Sequence, residues 1–444
     1  MFSTDKQTLD DLNIFGKHGA ESIYHIFDRS TTRGGAAVLE QMFRYPLANA
    51  DAINKRSNTI QYFAASGIEF PFQSGLFDSI ELYLDNTDER TKLNVEPDSI
   101  GKKLNNLIAV DVHTAQVYKG VHSIVALLKD ARAFLDSFKL SAGHPYESDK
   151  AELYSLVGES DLSAIVAAKG KLSPSVMAQF DVLLRFRHRE LIRKLLHHVH
   201  QLDAYIAIGK VAKERGFVFP TALPKDQRIA DIIGVYHPQV DHAVSNDIRI
   251  TAEGNVIFLT GANMAGKSTF MKSLSIAMYL AHMGFPVPAA SMRFSVLDGM
   301  YTTINLPDNL GMGASHFYSE VLRVKKIASE LRHKHLFVLF DELFRGTNVK
   351  DAAEATVAVT QAFAKKPHSI FVLSTHIIEA GEELKKRCTN ISFIFLPTRM
   401  VGNKPVYKYK LEAGITEDRH GMVIINNEGI LAILKAGISH NNQQ

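Results

Sequence analysis

Two different spacings of apolar residues divide the chain. Over about residues 175–215, Val176, Phe180 and Leu184 recur every four positions and Leu191 follows two helical turns later. Leu195, Val199, Leu202 and Ile206 then continue the stripe. Steps of three and four keep such side chains on one helical face, so one long amphipathic helix is predicted there. Helical patterns dominate the preceding residues too, broken at 141–145 and 170–174. Pro220 and Pro224 end the regime, because proline supplies no N–H and restricts its predecessor. Beyond them the period changes. Short apolar runs at 255–260, 336–340 and 369–374 alternate with helical patterns, which predicts an α/β domain built on a mainly parallel sheet. The expected organisation is an all-α domain over residues 1–220 and an α/β domain over 221–444.

The first apolar run leads into Gly261, Ala262, Asn263, Met264, Ala265, Gly266, Lys267, Ser268 and Thr269, which complete the pattern G-x-x-x-x-G-K-[ST]. A helix is predicted directly after it, with Leu274, Met278 and Ala281 on one face. Strand, loop and helix in this order aim backbone N–H groups at a helix N-terminus, which carries roughly +0.5 of an elementary charge. A nucleoside triphosphate is therefore the expected ligand, with Lys267 reaching its β/γ oxygens and the Ser268 hydroxyl on Mg²⁺. The run 336–340 ends in Asp341 and Glu342. Asp341 is placed to hold the metal, and Glu342 to orient the water that attacks the γ-phosphate. The run 369–374 ends in Thr375 and His376. Ligands collect at the carboxyl ends of parallel strands, so His376 is a further candidate, although a lone histidine reads equally well as structural.

Composition narrows the class only a little. The chain has 444 residues, 46 % apolar and 22 % charged, with a net charge of +3. These values suit a globular protein and permit a local nucleic-acid patch without arguing for one. A single cysteine, Cys388, excludes an intrachain disulfide and a multi-cysteine zinc site. Neither a secretory leader nor a membrane-length apolar stretch is evident, and a cytoplasmic location is expected. The most basic segment holds Arg185, Arg189 and Arg193, spaced by four. That spacing suits contact with a phosphate backbone, or a solvated face whose arginines pair with acidic neighbours.

Several motifs together resemble the MutS family of DNA mismatch-repair ATPases. They are Asn263-Met264 inside the loop, the segment Ser315 to Glu320, the segment Asp341 to Thr347, and Thr375-His376. His237-Pro238 and Asn246-Asp247 lie upstream of them, and the stretch from Thr32-Arg33-Gly34-Gly35 to Arg56 lies further back. The resemblance implies an ABC/MutS-type P-loop NTPase domain preceded by a helical core or lever domain. It also implies a homodimer with composite ATP sites, in which Ser315 at the start of a helix reaches the partner's γ-phosphate and Tyr409 packs on adenine. Departures are as specific. Ala265 and Phe344 stand at usual glycines, His316 at a usual threonine, and Ala243 where an aromatic would stack on the base. The mismatch-reading and connector domains and the Smr nuclease domain are expected to be missing, and the clamp to be reduced or absent. The expected function is ATP-driven binding of branched or distorted DNA without mismatch reading. The alternative is an ATP-gated factor that grips ribosomal RNA or a protein partner through its helical arms. A transport- or cohesin-type ATPase fits less well, since a Leu-Ser-Gly-Gly signature and a long heptad arm are both lacking.

Overall fold

The computed structural model describes residues 2–16, 21–93, 107–168, 170, 172–262, 264–304, 316–401, 404–416, 425 and 428–439. The helices before the strands are α1 Lys6–Asp11, α2 Ile23–Phe27, α3 Arg33–Arg44, α4 Ala50–Ser66, α5 Gly75–Asp85, α6 Leu107–Ser137, α7 Glu147–Val157, α8 Ser160–Ala167, α9 Pro174–Asp181 and α10 Arg189–Arg215. Then come β1 Thr221–Leu223, β2 Ala230–Val235, β3 Asn246–Ile250, β4 Val256–Gly261, α11 Lys267–His282, β5 Ser291–Ser295, β6 Gly299–Thr303, α12 His316–Glu330, β7 Leu336–Phe340, α13 Val349–Ala364 and β8 Ile370–Ser374. The chain continues through α14 Ile378–Arg387, β9 Ile391–Leu396, β10 Thr398–Val401, β11 Lys404–Tyr407, β12 Glu412–Ala413 and α15 Ile430–Ser439. Among the described residues no helix is long and apolar enough to cross a membrane.

Internal contacts gather these elements into two compact units, and the division is not the expected split at residue 220. One unit comprises Phe27–Met42 and Asn58–Glu214; the other comprises Met1–Ile26, Phe43–Ser57 and Arg215–Gln444. Residues 1–26 and 43–57 thus belong with the α/β part rather than with the helices that surround them in sequence.

Among its described residues the first unit holds helices and connecting turns, with no strand. Its organising group is Asp203, whose carboxylate is buried and accepts from Thr31 N at 3.0 Å, Thr32 N at 2.8 Å and Thr32 Oγ1 at 2.7 Å. Thr32 Oγ1 in turn accepts from Gly35 N at 2.8 Å, so one side chain starts α3 and ties it to α10. Gly34 is required by proximity: a Cβ there would lie 2.1 Å from the His200 ring.

The single helix predicted over 175–215 is interrupted by a π-type turn at Val182–Arg187. Arg185 explains the break, because it points inward and is fully buried. Its guanidinium donates to Asp181 Oδ2 at 2.7 Å, to Thr91 Oγ1 at 2.9 Å and to Thr91 O at 3.0 Å. Asp181 also accepts from Tyr83 Oη at 2.8 Å and Leu93 N at 3.1 Å. A buried charge survives only when paired and hydrogen-bonded, and this pair is both. Of the two readings of the arginine stripe, pairing with neighbouring groups fits the structure and a phosphate-tracking face does not. Arg185 is internal, Arg189 Nε donates to Leu84 O at 2.7 Å, and Arg193 pairs with Asp85 at 2.8 Å.

The second unit holds a six-stranded sheet of order β12-β9-β4-β8-β7-β6, parallel except for the β12–β9 edge pair. A separate four-stranded sheet runs β1-β5-β2-β3. Every residue of β4, β7 and β8 is buried, as a sheet covered on both faces requires. Phe340, Phe363 and Phe371 stack between the strands and α13, with centroids 6.0 and 4.5 Å apart and rings 8° from parallel. The N-terminal segment completes the β6 edge. Ser3 bridges Gly299 in parallel, and Asp11 Oδ2 accepts from Thr302 Oγ1 at 2.8 Å and Ile304 N at 2.9 Å. Asp5 pairs with Arg323 and Lys326 and so fixes α12 to the same edge. Burial opposes ionisation of Asp5, but the two cations hold its carboxyl far below the usual range.

Gly34→Ala is expected to lower stability by about 1–3 kcal/mol in chemical denaturation, since the buried imidazole must move. Gly75→Ala is the control, because a Cβ at Gly75 meets nothing within 4 Å. Equal midpoints for the two variants would reject the His200 contact as the reason for Gly34.

Candidate functional site

The site is assembled at the carboxyl ends of β4, β8 and β7, three neighbouring parallel strands. β4 runs into the glycine-rich loop, of which Asn263 lies outside the described residues. Gly266 has φ +98° and a Cβ there would come within 3.0 Å of the Tyr409 ring, so both backbone and space demand glycine. Ala265 is buried and shows no left-handed backbone, which explains why a glycine is dispensable at that position. Lys267 opens α11 and is itself buried. Its Nζ donates to Gly261 O at 2.9 Å and Ala262 O at 3.3 Å, curling the loop around the ammonium. Burial pushes the Lys267 pKa down, with the Glu342 and Asp341 carboxylates opposing the shift. Ser268 and Thr269 are exposed at the helix start.

Asp341 and Glu342 follow β7. Asp341 Oδ2 accepts from Ser268 Oγ at 2.5 Å, and Asp341 Oδ1 accepts from Ser374 Oγ. Glu342 Oε1 lies 2.5 Å from His376 Nε2, and this hydrogen bond is the main cause that holds the Glu342 carboxyl below its ordinary range. The predicted residues Lys267, Ser268, Asp341, Glu342 and His376 are therefore linked by direct contacts or through shared electrostatics. Ser315 lies outside the described residues; the helix expected at 317–331 begins at His316. Glu320 of that helix accepts from Gly346 N at 3.4 Å, joining α12 to the loop after Glu342.

Tyr409 follows β11 with φ +56° and is 45 % exposed, its ring lying against Gly266 beside the loop. What holds it there is the buried Asn246. The Asn246 amide donates to Tyr409 O at 3.0 Å and its carbonyl accepts from Leu411 N at 2.8 Å. Lys410 Nζ adds a bond to Ser245 O at 2.7 Å. Sequence reasoning marked Asn246-Asp247 without a role; the structure gives Asn246 one. Ser374 was missed altogether, although a lone hydroxyl closing an otherwise apolar strand was a usable signal.

Chemically, a hydroxyl and a carboxylate oxygen converging beside a buried ammonium suit a hard divalent cation carrying a phosphate. Among the described residues no group of three or more His, Cys, Asp or Glu side chains could hold a metal alone.

Known proteins share this arrangement of sequence. Residues 257–438 match the family described as MutS domain V. The chain is MutS-like. It is 30 % identical over 244 residues to the DNA mismatch repair protein MutS of Phocaeicola vulgatus, covering 52 % of this chain and 27 % of that protein. Proteins of the same name from Bacteroides fragilis and Bacteroides thetaiotaomicron are each 28 % identical over 268 residues, covering 56 % of this chain and 30 % of theirs. The chain thus spans less than a third of the length of these MutS relatives.

Phe344, at a position where the resemblance leads to the expectation of a glycine, has a backbone that glycine adopts most easily. Phe344 has φ +65°, a conformation costing a non-glycine residue roughly 1–2 kcal/mol. Its ring is buried and packs on Phe317 at 5.8 Å, and deleting a buried Phe costs about 3–5 kcal/mol. Packing outweighs strain. Phe344→Gly is expected to destabilise by about 2 kcal/mol in thermal or chemical unfolding; a stabilised variant would reverse that balance.

Proposed function

We propose that this MutS-like chain is an ATPase that binds ATP–Mg²⁺ in the loop 261–269 and hydrolyses it to ADP and phosphate. The observation that carries the reading is the convergence of Lys267, Ser268, Asp341, Glu342 and His376 at adjoining strand ends. Lys267 neutralises the β/γ oxygens, and the loop N–H groups with the α11 N-terminus add fixed positive dipole. Ser268 and Asp341 would hold Mg²⁺, which when bound offsets phosphate charge. Glu342 orients the attacking water, and His376 keeps its carboxylate ionised and aimed. Tyr409 offers a face for the adenine ring. Two copies are inferred to close over the nucleotides, with Ser315 donated across the interface. DNA is the inferred macromolecular partner; that part rests on the MutS relatives, because the arginine stripe no longer supports it.

Lys267→Ala should abolish triphosphate binding. Glu342→Gln should retain binding while slowing phosphate release by about 10²–10⁴-fold. Hydrolysis at the parental rate in Glu342→Gln would sink its assignment. The same variant with ATP–Mg²⁺ is expected to double in mass by light scattering, and a particle that stays a single copy would reject the dimer. Duplex or junction DNA should stimulate hydrolysis with an affinity that falls steeply with salt. Stimulation by ribosomes alone would favour the other partner.

A further inference from the structure

Ser374 is the last residue of β8 and is fully buried, after four apolar residues that share its strand. A hydroxyl in that setting is costly unless both its donor and its acceptor are used. Both are, and each contacts a different carboxylate residue of the site. Its proton goes to Asp341 Oδ1, while its oxygen accepts from the Glu342 backbone N–H at 3.1 Å. β8 lies between β4 and β7, so Ser374 is flanked by the strand that leads to the loop and the strand that presents the carboxylates. Glu342 has φ +56°, a left-handed backbone that a non-glycine residue keeps only when its surroundings enforce it. The bond to Ser374 Oγ is such an enforcement.

Asp341 is therefore gripped from two sides, by Ser268 on one oxygen and Ser374 on the other. The two hydroxyls are not equivalent. Ser268 is exposed on the loop and is the one suited to turn toward a ligand, whereas Ser374 is rooted in the sheet. We propose that Ser374 is the positioning residue of this site, setting Asp341 for a divalent cation and fixing the backbone that aims Glu342. The inference rests on the ATPase reading above. It assigns one buried hydroxyl to couple metal affinity to water orientation, so both properties are expected to decline together when it is lost.

The test uses the full chain and the variants Ser374→Ala, Ser374→Thr and Ser374→Cys. Mn²⁺ binding is followed by electron paramagnetic resonance in the presence of a non-hydrolysable ATP analogue, beside analogue binding without metal and steady-state hydrolysis. Ser374→Ala is expected to weaken Mn²⁺ binding by about 10–100-fold and to lower kcat by a similar factor. Metal-free analogue binding should be unchanged. Ser374→Thr, which keeps the hydroxyl, should recover most of both properties. Ser374→Cys, a near isostere with a weak donor, should behave like Ser374→Ala and serves if alanine disturbs folding. Parental Mn²⁺ affinity in folded Ser374→Ala or Ser374→Cys would overturn the inference and leave the ATPase reading intact. So would equal losses of metal-dependent and metal-free binding, which mark general damage. A parent chain that binds neither analogue nor Mn²⁺ would overturn the ATPase reading and the Ser374 role together.

Discussion

Everything at the candidate site depends on one constraint: β4, β8 and β7 are parallel neighbours buried on both faces. Side chains along such strands must be apolar on both sides, so polar groups are admitted only where the strands end. The register then does the rest. Leu259 lies opposite Ser374 and Phe340 opposite Leu373, so the ends of the three strands fall at nearly the same level. Lys267, Asp341, Glu342, Ser374 and His376 meet because the sheet leaves them nowhere else to go. The stacked rings of Phe340, Phe363 and Phe371 keep that level by filling the space beneath it.

A second regularity concerns backbone strain. Met264, Glu342, Phe344 and Tyr409 are non-glycine residues with φ between +56° and +70°, and all four lie in the loop, after β7 or beside Gly266. Each is retained against a cost of order 1–3 kcal/mol, which implies that its surroundings specify it. Three of the enforcing contacts are identifiable: Ser374 on Glu342, Phe317 on Phe344, and Asn246 on Tyr409. The site is thus built from main-chain conformations as much as from side chains.

Legibility followed the same physics. The run 336–340 was readable to the residue because five consecutive apolar positions ending in Asp-Glu admit few other structures. The loop and its helix were readable because glycine spacing is dictated locally. By contrast, Arg185 looked like a surface charge, since its partners Thr91 and Asp181 include one more than ninety positions away. No local pattern announces that residues 1–26 and 43–57 pack with the α/β unit, because the decisive partners, such as Thr302 for Asp11, are remote. Ser374 was hidden for the opposite reason: it is a small residue whose worth lies in using one oxygen twice.

The pairing of Ser3 with Gly299 has a consequence for how the chain emerges from the ribosome. Nearly three hundred residues separate the two, and at ordinary elongation rates that interval is roughly 15–60 s. During it, Leu12, Ile14 and Ile23, all buried in the finished molecule, are already synthesised while the edge strand beside which α1 packs has yet to be made. Nascent chains must hold this segment in reserve, and its capture closes the sheet only after β6 has been made. Vectorial synthesis therefore leaves a window in which the α1 segment exists before β6 does, and in which a chaperone can engage it.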